Sequence, residues 1–262
     1  MKVAVILLNE YSRMPGERLI KELKEDAVLY VPQRFRQNKS SPRIRRYSDD
    51  LSTLTGKLFH QYDGLVFVMA LGIVARVLAP HIRNKLTDPA VVAVDDVGRY
   101  VISLLSGHEG GANGLAIRVA NILGSEPVIT TGSEARKDLI VGVGCRKGIS
   151  SACVREAIVG ALKEARCSKG DVRFIATVDL KSKEKGLLDA ASMLGIPIRI
   201  ISKEEIDSCA KNYTKSRVVT KRLGIGGVCE PAALLGGRRT RLILKKRIYK
   251  GVTVAIARED FS

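Results

Sequence analysis

The sequence predicts an α/β fold with two α/β domains. Each is a largely parallel sheet flanked by helices, the C-terminal one mixed with a final hairpin. Three observations lead there. Short continuous apolar runs, such as Val3 to Leu8, Leu65 to Ala70 and Val91 to Val94, have the character of strands covered on both faces. Segments with helical apolar spacing lie between them. The alternation then starts afresh after Thr131 to Lys137, a polar stretch holding Gly132. That stretch divides the chain into an N-terminal domain at residues 1–130, a linker at 131–138 and a C-terminal domain at 139–262.

In the first domain, Val3 to Leu8 is a buried strand. Pro15 and Gly16 mark a turn, and Glu17 to Glu25 reads as a helix with Leu19, Ile20 and Leu23 on one side. Ala27 to Val31 is a second strand. Residues 33–50, polar and basic with Pro42 and several serines, read as a loop. Leu51 to Gln61 is helical, and Asp63 and Gly64 turn the chain into the strand Leu65 to Ala70. Gly72 to Leu78 is a helix with Arg76 early in it, ended by Pro80. Thr87, Asp88 and Pro89 lead into Val91 to Val94, Asp95 to Arg99 is a turn, and Tyr100 to Leu105 is strand-like. Ser106 to Asn113 is a glycine-rich turn into a helix from Leu115 to Leu123, stopped by Gly124. Glu126 to Thr130 is a short strand.

In the second domain, Leu139 to Val143 is a strand, followed by a turn at Gly144 to Gly148. Ser150 or Ser151 caps a helix running to about Ala165. Val172 to Val178 is a strand with Asp179 and Lys181 just past its end. Gly186 to Leu194 is a helix, Ile198 to Ile201 a strand and Lys203 to Ala210 a short helix. A second glycine turn, Gly224 to Gly227, precedes Cys229 and Glu230. Pro231 fits the first turn of a helix through Leu235. Leu242 to Lys246 and Val252 to Ala257 form a hairpin around Tyr249 to Gly251.

Composition narrows the function classes. With 44 basic and 27 acidic residues the chain carries +17, a field that attracts polyanions: nucleic acid, anionic lipid or a small polycarboxylate. The five cysteines, at 145, 153, 167, 209 and 229, include no C-x-x-C pair, which argues against a disulfide framework and a structural zinc site. The longest apolar run, Gly64 to Ala75, is shorter than the roughly 20 residues of a membrane helix. The N-terminal run reads as a strand rather than a signal peptide, so a cytoplasmic protein is expected.

The chemistry concentrates in the turn Ser106-Gly107-His108-Glu109-Gly110-Gly111-Ala112-Asn113. Strand, glycine-rich turn and helix together aim backbone N–H groups at an anion. His108, one of three histidines, can act as general acid or base near neutral pH. Asp88, Asp95 and Asp96 flank the strand at Val91 to Val94. They are read as lying near the same sheet end, and all three are candidate carboxylate partners of His108. Arg76, Cys145, Arg146 and Lys147 are candidate anion contacts, and Cys229 and Glu230 sit at the second glycine turn. No P-loop or G-x-S-x-G motif occurs, and Gly142, Gly144 and Gly148 miss the dinucleotide spacing by one place.

Several stretches together resemble the cobalamin biosynthesis protein G family, CbiG. Gly64 to Arg76, Thr87-Asp88-Pro89-Ala90-Val91-Val92 and Val101 to Asn113 are similar to its N-terminal part. Val141 to Gly148, Ala176 to Lys181, Gly227 to Ala233 and Gly251 to Ala257 are similar to its C-terminal domain, itself similar to CobE. The motifs occur in the family's order. The chain is short between the two parts, where many members carry a middle region. It also has Glu109 where the pattern has an apolar residue.

The resemblance implies a cobalt-precorrin-5A hydrolase of the anaerobic route to vitamin B12, opening a δ-lactone and releasing acetaldehyde to give cobalt-precorrin-5B. The cobalt belongs to the substrate, so no cofactor and no protein metal site are expected. For this chemistry His108, Ser106, Asp88, Asp95 and Asn113 are the candidate catalytic residues, with Asp88 or Asp95 to orient the water. Arg76, Gly107, Gly110, Gly111, Cys145, Arg146, Lys181, Gly226, Gly227, Cys229 and Glu230 are the candidate substrate contacts. The expected partner is an anionic tetrapyrrole, with no nucleic acid and no membrane. A homodimer and transient contact with other enzymes of the pathway stay open. The alternative is a non-catalytic tetrapyrrole carrier of the same pathway.

Overall fold

The apolar runs become the inner strands of two separate sheets. The computed structural model describes residues 1–23, 27–35, 41–215, 220 and 224–260. It divides the chain into two compact units, Met1–Thr131 and Gly132–Ser262.

The first unit holds β1 (Val3–Leu7), α1 (Arg13–Leu23), β2 (Ala27–Pro32), β3 (Ile44–Tyr47), α2 (Leu51–Phe59), β4 (Gly64–Val68), α3 (Leu71–Leu78), β5 (Ala90–Val94), β6 (Tyr100–Leu105), α4 (Ala112–Leu123) and β7 (Glu126–Val128). Its sheet runs in the order β3-β2-β1-β4-β5-β6-β7. All neighbours are parallel except β5 and β6. Strand alternation sends Val3, Val5 and Leu7 into one core with α1 and α4. Ala4 and Ile6 enter the other, with α2 and α3. Burial on both faces is why these strands read as unbroken apolar runs.

Four local expectations change. Helix α1 begins at Arg13, so Pro15 and Gly16 lie in it rather than in a turn. Pro15 is tolerated in a first turn, where its missing N–H has no partner to lose. The stretch 33–50 contains edge strand β3, paired parallel with β2. Its exposed Arg45 and Arg46 hid it among the basic residues. Arg76 stands in the last turn of α3, not early in the helix, so it cannot gather an anion at that helix's amino end. Helix α4 begins at Ala112 and takes in Asn113. The expected helix end at Lys24 and Glu25 lies outside the described residues, as do residues 36–40 of the expected loop.

The second unit holds α5 (Gly132–Ala135), β8 (Leu139–Cys145), α6 (Ser151–Glu164), β9 (Val172–Val178), α7 (Lys185–Leu194), β10 (Ile198–Ile201), α8 (Lys203–Asp207), α9 (Cys229–Leu235), β11 (Thr240–Tyr249) and β12 (Val252–Glu259). The order is β10-β9-β8-β12-β11, with β8, β9 and β10 parallel and β12 antiparallel to both neighbours. Helices α6 and α7 cover one face and α8 and α9 the other. Ser150 caps α6 by accepting the Cys153 N–H. Gly142 lets α9 lie directly on β8: a Cβ there would stand 1.8 Å from the Cys229 carbonyl oxygen. That close approach, not a nucleotide, accounts for the glycine.

Candidate functional site

The antiparallel β5–β6 pair decides which side chains can meet in the first unit. Val91, near the start of β5, pairs with Leu105 at the end of β6, and Val94 pairs with Val101. The Ser106–Asn113 turn therefore sits where β1, β4 and β5 begin, and a Cβ on Gly111 would lie 3.3 Å from Met1 Cε. Asp88, just before β5, is at this edge. Asp95 and Asp96 are at the opposite edge, where Asp95 accepts the Tyr100 N–H and Asp96 accepts the Asn9 side-chain amide. Asp95 is thus a turn residue, out of reach of His108.

The turn itself is tightly built. Ser106 has φ 55°, a left-handed conformation uncommon outside glycine. Its carbonyl accepts the N–H groups of Gly110 and Ala112, both at 3.1 Å. Its hydroxyl is buried and has no hydrogen-bond partner. Gly110 closes over it: a Cβ at 110 would lie 2.5 Å from Ser106 Cβ and 3.3 Å from the Asp88 carbonyl oxygen. Gly111, at φ 84°, starts α4 without a side-chain cap. Gly107 packs on Asn113 and Thr131. The N–H groups of Gly107 and Gly111 take no hydrogen bond among the described residues. His108 is exposed at the crest. Glu109 beside it pairs with Lys85 at 2.9 Å, a hydrogen bond that holds the Glu109 carboxyl below its ordinary range.

Two further candidates of this turn are committed to the fold. The Asn113 amide accepts from Ser103 Oγ at 2.8 Å and donates to Thr131 Oγ1 at 3.0 Å. These two bonds fix the orientation of the amide and leave its second N–H without an acceptor among the described residues. Asp88 is buried and accepts the N–H groups of Arg83 and Asn84, closing its own loop. Arg76 is exposed in the last turn of α3.

In the second unit the candidates gather at the carboxyl ends of β8, β9 and β10, the end at which open parallel sheets bind ligands. Cys145 ends β8, Arg146 and Lys147 follow it, and Asp179 to Lys181 follow β9. Lys181 pairs with Glu184 at 3.6 Å, and Glu184 also accepts the Gly148 N–H. Burial pushes the Cys145 thiol up, against a smaller pull from Lys181. The glycine turn reaches the same edge: a Cβ on Gly144 would lie 3.2 Å from Val228 Cβ, and one on Gly224 3.5 Å from Lys203 Nζ. Gly226 and Gly227 pack against Tyr213. Lys203 was not among the sequence candidates, although its place two residues past β10 was visible.

Cys229 and Glu230 are buried inside the unit instead. Burial lifts the Cys229 thiol to about 11. The Glu230 carboxylate accepts the N–H groups of Thr214 and Lys246 and the Thr214 hydroxyl, which occupies it in holding α9 to β11. Cys229 is closed in, while Glu230 also lines a cavity bounded by Lys211, Tyr213, Arg241 and Lys245. Among the described residues no three His, Cys, Asp or Glu side chains gather as a metal site. No helix there is long and apolar enough to cross a membrane.

Comparison with known proteins adds a family. Models described as "Cobalamin synthesis G N-terminal" and "Cobalamin synthesis G C-terminus" match residues 53–134 and 139–257. The chain is similar to the cobalt-precorrin-5A hydrolase of Priestia megaterium, 26% identical over 352 residues that cover 97% of this chain and 94% of that protein. That alignment is longer than the 262 residues here, so the relative carries residues this chain lacks. It is also similar to the cobalt-precorrin-5A hydrolase of Salmonella typhimurium, 26% identical over 76% of this chain and 82% of that one. Among solved structures it is similar to CobE, from the cobalamin (vitamin B12) biosynthetic pathway. That identity is 31% over 46% of this chain and 92% of that one, with TM-score 0.43.

Proposed function

The chain belongs to the cobalamin biosynthesis G family, and from that premise we propose that it is a cobalt-precorrin-5A hydrolase, like its named relatives. It opens the δ-lactone of the macrocycle and releases acetaldehyde, giving cobalt-precorrin-5B. The cobalt travels with the substrate.

The Ser106–Asn113 turn carries this reading. It combines an exposed imidazole, two unengaged backbone N–H groups and a strained serine whose hydroxyl has no structural task. Lactone opening needs a proton acceptor for the attacking water and a donor for the departing alkoxide. His108 takes both parts in turn. The Gly107 and Gly111 N–H groups suit the oxyanion of the tetrahedral intermediate. The Ser106 hydroxyl joins them once the 107–110 segment lifts, a movement opposed at the surface by the exposed Lys85–Glu109 pair, which contributes little.

Acetaldehyde is the readout. Purified protein incubated with cobalt-precorrin-5A should release it, and His108→Ala should abolish release while leaving the fold intact. Tight binding of the substrate without acetaldehyde would replace the enzyme with a carrier.

A further inference from the structure

We propose that the carboxyl edge of β8, β9 and β10 is a carboxylate clamp whose cations are Arg146, Lys147 and Lys203. The choice of a tetrapyrrole as its occupant rests on the function proposed above. The clamp itself stands on charge and placement within the second unit.

Each cation follows a different strand end or shares one: Arg146 and Lys147 come directly after β8, and Lys203 follows β10 by two residues. Strand spacing puts the ends of β8 and β10 about 10 Å apart. None of the three has a side-chain hydrogen bond or ion pair among the described residues. Two acids of this edge, Asp179 and Glu184, are engaged by groups of the unit itself. Asp179 accepts the N–H groups of Leu180 and Lys203, and Glu184 accepts the Gly148 N–H and pairs with Lys181. With no described side chain bound to them, the three cations stay available to an incoming anion. Elsewhere in the unit Arg173, Arg247 and Arg258 are each paired with Glu259, Glu164 and Asp138.

The placement also fits one small molecule carrying several carboxylates better than a long polyanion. Arg146 lies along Gly251, its Nε 3.0 Å from where a Cβ would stand, and the Lys203 ammonium rests against Gly224. Gly251 precedes β12, the neighbour of β8 on the side away from β10, so the cations span three strand spacings, ~14 Å, along this edge.

Fluorescence titration with uroporphyrin, a porphyrin bearing carboxylate side chains on every ring, tests the clamp without depending on turnover. The Arg146→Ala/Lys203→Ala double variant should bind at least tenfold more weakly than the full wild-type chain, with a shallower salt dependence. Lys163→Ala/Lys169→Ala, which removes the same two charges from the last turn of α6 and from just ahead of β9, at the opposite edge, should bind as wild type does. Equal binding by the double variant and wild type overturns the clamp. So does equal competition from a DNA oligonucleotide, which would assign the edge to nucleic acid. Acetaldehyde release from cobalt-precorrin-5A separates the two readings. If wild type turns over while the double variant shows an unchanged KM, the clamp fails and the enzyme stands. If wild type releases nothing yet loses uroporphyrin in the double variant, the clamp stands and the enzyme fails.

Discussion

Gly110 lies directly over Ser106, so close that a methyl group at 110 would stand 2.5 Å from the serine's Cβ and 3.1 Å from its carbonyl oxygen. Gly110→Ala must therefore displace the turn. Overpacking of this kind costs about 1–3 kcal/mol, read as a lower urea midpoint. Adding Ser106→Gly removes the first of these contacts and should recover part of the loss. A double variant no better than Gly110→Ala would move the obstruction to the Asp88 carbonyl, at 3.3 Å.

Ser106 separates stability from activity. Its backbone is left-handed at φ 55°, a conformation that costs an L-residue roughly 1–2 kcal/mol, and its buried hydroxyl is unpartnered. Ser106→Ala keeps the backbone strain but removes the orphan hydroxyl. Its urea midpoint should hold or rise, while acetaldehyde release falls about a hundredfold or more, within the range of a lost oxyanion donor. A clear drop in stability would mean that the hydroxyl does serve the fold.

The sheets were legible because burial on both faces leaves unbroken apolar runs, and the strands Tyr100–Leu105, Val172–Val178 and Ile198–Ile201 match their runs residue for residue. Strand β3 was not, because an edge strand with exposed Arg45 and Arg46 has no run to show. The misplacement of Asp95 was avoidable. Only five residues separate β5 from β6, and a parallel crossover needs a dozen or more, so the pair had to be antiparallel with Asp95 and Ser106 at opposite ends. Glu230 was different: a glutamate beside glycines looks like a ligand, and only the folded chain shows Thr214 and Lys246 claiming both its oxygens.

Two glycines at helix starts should respond oppositely to alanine. At Gly186, near the start of α7, a Cβ would lie 1.9 Å from the Ile149 carbonyl oxygen, backbone against backbone. Gly186→Ala should cost about 3 kcal/mol or more, or leave the second unit unfolded by circular dichroism. At Gly72, in α3, nothing lies within 4 Å. Gly72→Ala should raise stability by about 0.5–1 kcal/mol through helix propensity and reduced chain entropy. A destabilised Gly72→Ala would contradict the open space around that position.

Alkaline pH should unfold the protein through Cys229. Burial raises its thiol from 9.0 to about 11, so the folded state keeps a proton that the unfolded chain releases. Stability from this group is fully present below pH 9 and declines as pH rises through 11, by about 2–3 kcal/mol in all. Tyr47 and Tyr62, lifted by burial from 10.0 to about 12, act in the same direction above pH 10. Urea midpoints at pH 8 and pH 10 should therefore fall for wild type. They should fall less for Cys229→Ala, which has no thiol to titrate. At pH 8 the native thiol should also resist iodoacetamide until urea exposes it, while half-buried Cys153 reacts first. Equal alkaline losses in both proteins would assign the effect to the tyrosines, and rapid native labelling at 229 would show that the contact between α9 and β8 opens far more readily than its packing implies.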